Sequence, residues 1–125
     1  MIYTSYFAKQ KSLPENIIPI SICAKTPEWY KGLTYKKLAP SYEILMKYKR
    51  DGDKESYIKN YREQVLNKLD PEKVVYELLL TTAGAKKDVC LLCYEKSADF
   101  CHRHLVAEWL NSHGFECREW KGEAN

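Results

Sequence analysis

The sequence lacks the features that mark several large classes of protein. The longest apolar run, Val89–Tyr94, is far shorter than the roughly 18 consecutive apolar residues of a membrane-spanning helix. The five glycines are scattered and form neither GxGxxG nor a P-loop, which disfavours Rossmann dehydrogenases and P-loop nucleotide triphosphatases. No basic segment with a small-residue cleavage site opens the chain, so we expect no signal peptide and a cytoplasmic location.

A strong charge bias is missing as well. Twenty Lys and Arg residues face 17 Asp and Glu residues, and most of them are interleaved. Nucleic-acid binders usually carry a basic stripe, so we expect no sequence-specific nucleic-acid partner.

The chain has five cysteines, and an odd number indicates free thiols rather than a disulfide framework. An apolar content of 45% is enough to form a core, which excludes wholesale disorder.

The pattern of apolar residues predicts the order strand, strand, helices, strand, helix, strand. The predicted strands are Met1–Phe7, Ile17–Cys23, Asp88–Tyr94 and Phe115–Trp120. The predicted helices are Tyr42–Arg50, Lys54–Leu69, a third from Pro71 to a stop at Gly84, and Phe100–Ser112. The apolar run after Asp88 is typical of a strand covered on both faces. We therefore predict one domain over residues 1–125, a three-layer Rossmann-like α/β sandwich with a small, mostly parallel sheet. If its last two strands pair in parallel, they form a crossover unit.

Residues with binding chemistry follow the predicted strands at their carboxyl ends, where open parallel sheets bind ligands. The predicted site consists of Ser5, Tyr6, Lys25, Trp29, Tyr30, Cys93, Glu95, Cys101, His102 and Arg103. A helix start carrying Arg103 suits a phosphate or carboxylate, and Glu95 can accept from a ribose hydroxyl or a base amine. Trp29 or Tyr30 would stack on a base, and Lys25 would be a second cationic contact. A structural ion pair between Glu95 and Arg103 is the alternative interpretation.

The cysteines and histidines leave two further hypotheses open. Cys93, Cys101 and one histidine could hold a metal ion, whereas Cys90 lies three residues before Cys93 on a strand and would face the other side of the sheet. Cys101 at a helix start beside His102 could instead be a reactive thiol. We interpret Cys90, Cys23 and Cys117 as buried core residues.

The segment from Val89 to Leu110 resembles a bacterial and phage family called domain of unknown function 488. Its hallmark is an apolar strand that ends in Cys-x-Glu, followed by a short loop and Cys-His-Arg at the start of a helix. Ile2–Tyr6 and the helix containing Tyr57–Leu69 are also similar to that family. The resemblance implies an α/β fold and a site at Cys93, Glu95, Cys101, His102 and Arg103, and it implies no particular reaction.

The sequence therefore favours a protein that binds a nucleotide or a nucleotide-derived small molecule. Such a protein could function by sequestering this molecule. The alternatives are an enzyme acting on a nucleoside or nucleotide through Glu95, Cys101 or His102, a metal-binding protein, and an interaction module that uses the Trp29 loop. We expect no resident cofactor and no membrane partner. The oligomeric state stays open, a homo-oligomer included.

Overall fold

The structure, a computed structural model, describes residues 1–82, 87–94 and 100–122. Its strands are β1 (Ile2–Tyr6), β2 (Ile17–Ser21), β3 (Leu33–Thr34), β4 (Asp88–Cys93) and β5 (Cys117–Glu119). Its α-helices are α1 (Tyr42–Asp51), α2 (Lys54–Gln64), α3 (Pro71–Leu80) and α4 (His102–Ser112). Short 3-10 helices cover Phe7–Ser12, Lys36–Leu38 and Leu66–Lys68. The predicted helix stop at Gly84 lies outside the described residues.

The five strands form one sheet in the order β3-β2-β4-β1-β5, and every pair of neighbours is parallel. The predicted Rossmann-like α/β fold is confirmed. The last two strands, β4 and β5, do not pair with each other, because β1 lies between them and forms hydrogen bonds to both. They therefore do not form the crossover unit that their pairing would have produced. β4 is therefore flanked by β1 and β2, which explains why its sequence is apolar after Asp88.

Strand alternation divides the core between the two faces of the sheet. Val89 and Leu91 join the cluster that contains the buried side chains of all four α-helices. Cys90 and Leu92 join a second cluster, which includes Phe7 of a 3-10 helix and Tyr30 of the loop after β2. Within the described residues, the layer on the second face is thus made of a 3-10 helix and loops rather than of α-helices. This gives the molecule one thick helical layer and one thin one.

The three cysteines interpreted as core residues, Cys23, Cys90 and Cys117, are buried free thiols, which confirms that interpretation. Burial raises the pKa of the Cys90 thiol strongly and raises the pKa of Cys117 to about 12. Both therefore stay protonated at neutral pH and carry no thiolate chemistry. In the described part of the chain, each helix is too short or too polar to cross a bilayer.

The start of α3 offers a simple test of the local structure. The side chain of Asp70 accepts a hydrogen bond from the Glu72 amide at 3.0 Å, and Pro71 occupies the first helical position. Replacing Asp70 with alanine removes this cap, so we expect the free energy of unfolding to fall by about 1 kcal/mol. Urea denaturation would measure the change. Replacing the exposed Glu15 in the same way is the control and should change stability by less than about 0.5 kcal/mol; equal losses in the two variants would contradict the capping role.

Candidate functional site at the carboxyl edge of the sheet

The parallel sheet brings the ends of β1 and β4 side by side, with Tyr6 paired to Cys93 in the strand register. The amino end of α4 lies next to them, since Cys93 contacts both Cys101 and Arg103. The Arg103 guanidinium lies 5.7 Å from the centre of the Tyr6 ring. Five of the predicted site residues, Tyr6, Cys93, Cys101, His102 and Arg103, are thus in one connected group at this edge.

Arg103 is the largest fully buried side chain of this group. Its side chain is 0% exposed, and its Nε and Nη2 atoms donate to the two carboxylate oxygens of Glu119 at 3.1 and 3.0 Å. Its Nη1 atom donates to the sulfur of Cys93 at 3.0 Å. The position of Arg103 therefore does not support the prediction that its side chain binds a phosphate or carboxylate directly, because it has no exposed surface. The guanidinium is already occupied by a bidentate ion pair and a sulfur, which is how a buried arginine is normally stabilised.

Glu119 is a residue of this group that the sequence did not reveal. It lies in β5 opposite Thr4 of β1, and the Thr4 hydroxyl donates to it at 2.7 Å. It shares the helix-facing side of β5 with Cys117, two residues before it, which belongs to the main core cluster. The one feature of the sequence that could have pointed to Glu119 is an acidic residue at an inward-facing position of the last strand. The link between Arg103 and Glu119 ties α4 to the edge strand and holds the group in place.

Cys93 and Cys101 form a disulfide across the gap between β4 and α4. Their Cα atoms are 7.3 Å apart, and both side chains are almost completely buried. Cys101 is also the residue before α4, where its side chain makes no capping hydrogen bond. The disulfide therefore joins the end of β4 to the start of α4. The expectation of thiols alone is wrong for these two cysteines and holds for the other three.

His102 has a defined orientation, because each of its two ring nitrogens has a neighbour. Its Nε2 atom lies 2.8 Å from the carbonyl oxygen of Ile22, and its Nδ1 atom lies 3.8 Å from the sulfur of Cys101. A carbonyl oxygen can only accept, so the proton is on Nε2 and the lone pair is on Nδ1. Burial lowers the pKa of His102 to about 4. The ring is therefore neutral at pH 7 and presents an unprotonated nitrogen to Cys101.

Aromatic side chains line the same edge in a group that we call the aromatic platform, formed by Phe7, Trp29 and Tyr94. Phe7 follows β1 directly and is buried, whereas Trp29 is 52% exposed and Tyr94 is 49% exposed. The rings of Trp29 and Tyr94 each meet the Phe7 ring at a steep angle, with centroid distances of 6.2 and 5.0 Å. Phe7 and Tyr94 were not among the predicted residues, although both directly follow a strand. The platform lies one residue away from the disulfide, since Tyr94 follows Cys93.

Tyr30 does not belong to the exposed part of this platform. It is 7% exposed, and its hydroxyl lies 2.6 Å from the carbonyl oxygen of Leu33 and 3.2 Å from that of Pro19. Burial raises the pKa of Tyr30 to about 12. The expectation that Tyr30 stacks on a base is wrong, because its ring packs on Phe7 inside the second core cluster. It positions the loop that carries Trp29.

The remaining predicted residues have different positions. Lys25 is exposed in the loop after β2. Ser5 is fully buried near the end of β1, and its hydroxyl has no hydrogen-bond partner among the described residues. Glu95 lies outside the described residues, so its expected contacts and the alternative ion pair with Arg103 stay predictions.

Two depressions elsewhere on the described surface do not involve this edge. One, of about 470 Å³, lies between the segment around Ser41 and the end of α2, and the other, of about 430 Å³, runs along α2. Both are wide open to solvent, and neither is lined by a predicted site residue. The chemistry-bearing group is therefore separate from them.

Comparison with known proteins places the chain by its sequence. The model of the family DUF488-N3a, described as the active DUF488-N3 subclade, matches residues 9–114. No curated protein and no solved structure matches. The matched range includes β4, the Cys93–Cys101 pair and all of α4. Because the match covers most of the 125 residues, the chain belongs to the DUF488-N3a family, the active subclade of DUF488-N3.

Proposed function

We propose that this protein binds a nucleotide or nucleotide-derived small molecule at the carboxyl edge of its sheet and sequesters it. The observation that carries the proposal is the aromatic platform beside the buried group of Cys93, Cys101, His102 and Arg103. Parallel α/β sheets bind ligands at this edge because the strand ends and helix starts converge there. The family match includes β4 and α4, which border this edge, and it identifies no ligand.

The geometry of the platform suits a planar heteroaromatic ring. Trp29 and Tyr94 are half-exposed and are supported from below by the buried Phe7, so they present ring surface without themselves being loosely packed. A nucleobase that stacks on such a surface gains about 1–3 kcal/mol, whatever its identity. Stacking therefore supplies affinity, and the polar groups around the platform supply selectivity.

The phosphate part of the ligand requires a partner other than the side chain of Arg103, which the sequence analysis suggested. Arg103 is engaged by Glu119 and Cys93 and has no exposed surface, so it acts by positioning the edge rather than by touching a phosphate. In our proposal the anion lies near the amino end of α4, where amide donors and the helix dipole favour negative charge. Lys25, exposed on the neighbouring loop, provides the cationic contact.

Replacement of Trp29 by alanine tests the proposal. Loss of one stacked ring, at about 1–3 kcal/mol, should weaken binding roughly 5- to 150-fold. Isothermal titration with a panel of nucleoside mono-, di- and triphosphates, in the presence of a metal chelator, measures the dissociation constants. Tyr76→Ala removes an aromatic side chain of similar exposure on α3 and is the matched control. No binding by the wild-type protein, or equal affinity in Trp29→Ala, would contradict the proposal.

A second candidate function, turnover of the bound molecule, is favoured by one observation. The unprotonated Nδ1 of His102 faces the sulfur of Cys101 at 3.8 Å, as a general base faces a thiol nucleophile. Incubation of the reduced protein with the same nucleotide panel, followed by denaturation and chromatography, separates the two functions. A sequestering protein returns its ligand intact, whereas an enzyme releases a product.

A further inference from the structure

We propose that Cys93, Cys101 and His102 form a binding site for one soft divalent cation of the zinc class when both cysteines are reduced. The two sulfurs and a ring nitrogen of His102 lie within 4.8 Å of one another, and all three side chains are buried. Thiolate sulfur and imidazole nitrogen are the ligands that Zn²⁺ prefers. The inference does not depend on the proposed nucleotide function.

The spacing between the Cys101 sulfur and the His102 nitrogen agrees with the size of such an ion, whereas the two sulfurs, joined in the disulfide, move apart when that bond is reduced. With Zn–S bonds near 2.3 Å and Zn–N bonds near 2.0 Å, two ligands of a tetrahedral ion are roughly 3.5–3.8 Å apart. The distance from the Cys101 sulfur to Nδ1 of His102 is 3.8 Å. Cys93 reaches the same point from the end of β4, so the site joins a strand to a helix start.

The hydrogen bond of His102 prepares the ring as a ligand. Its Nε2–H donates to the carbonyl oxygen of Ile22 at 2.8 Å, which leaves Nδ1 unprotonated and aimed at the cysteines. Metal-binding histidines nearly always donate their other N–H to a carbonyl or a carboxylate in this way. The ring therefore needs neither a change of tautomer nor a rotation to bind a cation.

The sulfur of Cys93 has a charged neighbour. Nη1 of Arg103 donates to it at 3.0 Å, so the guanidinium holds the sulfur in place at the end of β4. Glu119 balances the charge of Arg103, so the guanidinium does not repel a bound cation as a lone charge would. Two thiolates neutralise a divalent ion, which makes its burial energetically acceptable.

Metal binding and the disulfide exclude each other. Two reducing thiols supply two electrons and two protons and become a disulfide, whereas a phosphine supplies two electrons and becomes a phosphine oxide, with the oxygen and the two protons coming from water. In both cases the S–S bond breaks and two S–H groups remain. On metal binding, each thiol loses its proton to solvent, and the resulting sulfur lone pair forms the bond to the metal. Three ligands from the described residues leave a fourth tetrahedral position for water or a bound molecule, the pattern of catalytic rather than structural zinc.

Cobalt titration of the phosphine-reduced, anaerobic protein tests the site. We expect one Co²⁺ per chain, with sulfur-to-cobalt charge-transfer absorption that an equimolar amount of Zn²⁺ abolishes. Cys93→Ser, Cys101→Ser and His102→Asn should each weaken the apparent affinity at least ~10-fold, and only the cysteine variants should lower the charge-transfer intensity per bound ion. Cys90→Ala, a buried thiol of the same strand outside the group, is the matched control and should bind as the wild type does.

Several results would overturn the proposal. The first is a folded, reduced wild-type protein that binds no stoichiometric Co²⁺ or Zn²⁺. The second is a cysteine pair that only cycles between dithiol and disulfide. The third is a Cys90→Ala variant that loses as much metal affinity as the ligand variants do. Should a variant not fold, X-ray absorption of the zinc-loaded wild-type protein decides the question, since it needs no substitution. Two sulfur neighbours with nitrogen or oxygen in the remaining positions support the site, and any other sulfur number contradicts it. Nucleotide binding measured with chelator is unaffected by this outcome.

Discussion

Replacing Arg103 with alanine should lower the free energy of unfolding by about 3–5 kcal/mol, because it removes the guanidinium that balances the charge of the mostly enclosed Glu119 carboxylate. Arg103 is fully enclosed, and Glu119 is only 15% exposed. The variant also loses the hydrogen bond from Nη1 to the sulfur of Cys93. Water cannot replace these contacts without opening the packing between α4 and β5. Urea denaturation followed by circular dichroism measures the change.

A surface ion pair of this chain provides the matched control. Arg62 of α2 pairs with Glu108 of α4 at 2.6 Å, yet the two side chains are 46% and 67% exposed. Solvent screens such a pair, so Arg62→Ala should cost no more than about 1 kcal/mol. Glu119→Gln combined with Arg103→Ala completes a double-mutant cycle, in which the second substitution should cost much less than it does alone. A stable Arg103→Ala protein would show instead that the arginine lies on an open rim.

The burial of Arg103 marks the limit of what the sequence could reveal at this site. The positions of Cys93, Cys101 and Arg103 follow from a strand that ends in Cys-x-Glu and a helix that starts at Cys-His-Arg, which are local patterns. The partner Glu119 lies 16 residues further on and reaches Arg103 only because β5 pairs with β1. Local patterns predict which elements carry chemistry, whereas non-local strand order decides which side chains become partners.

The fold shows the same division between local and non-local information. The apolar run of β4 and the Asp70-Pro71 helix start are local signals, and both predictions are confirmed. The insertion of β1 between β4 and β5 has no local signal, because parallel strands accept neighbours from anywhere in the chain. Tyr30 illustrates the consequence for the site. Its sequence position beside Trp29 suggested a ring that stacks on a base, but its hydroxyl donates to carbonyl oxygens of β2 and β3.

Stability should fall as the pH is lowered from about 6.5 to about 4, because His102 is buried as the neutral ring. Burial lowers its pKa from 6.5 to about 4, and the nearby charges of Arg103 and His104 act in the same direction, whereas the hydrogen bond to Ile22 opposes it. Tyr61 packs against the ring without carrying charge. Between those two pH values the unfolded chain binds a proton that the folded chain does not, so stability rises with pH and is complete above 6.5. The full difference is about 3 kcal/mol.

Comparison with His102→Gln isolates this contribution from the carboxylates that titrate in the same range. The amide nitrogen of glutamine takes the place of Nε2 and can donate to the Ile22 carbonyl, but the side chain has no proton to gain, so the stability of the variant should change less over the window. Denaturation curves of both proteins, collected from pH 4 to 7.5 with a metal chelator present, give the difference directly. Parallel curves would mean that the folded protein accepts the proton on His102. The ring could then not be fixed as a lone-pair donor beside Cys101, because protonation would place hydrogens on both nitrogens.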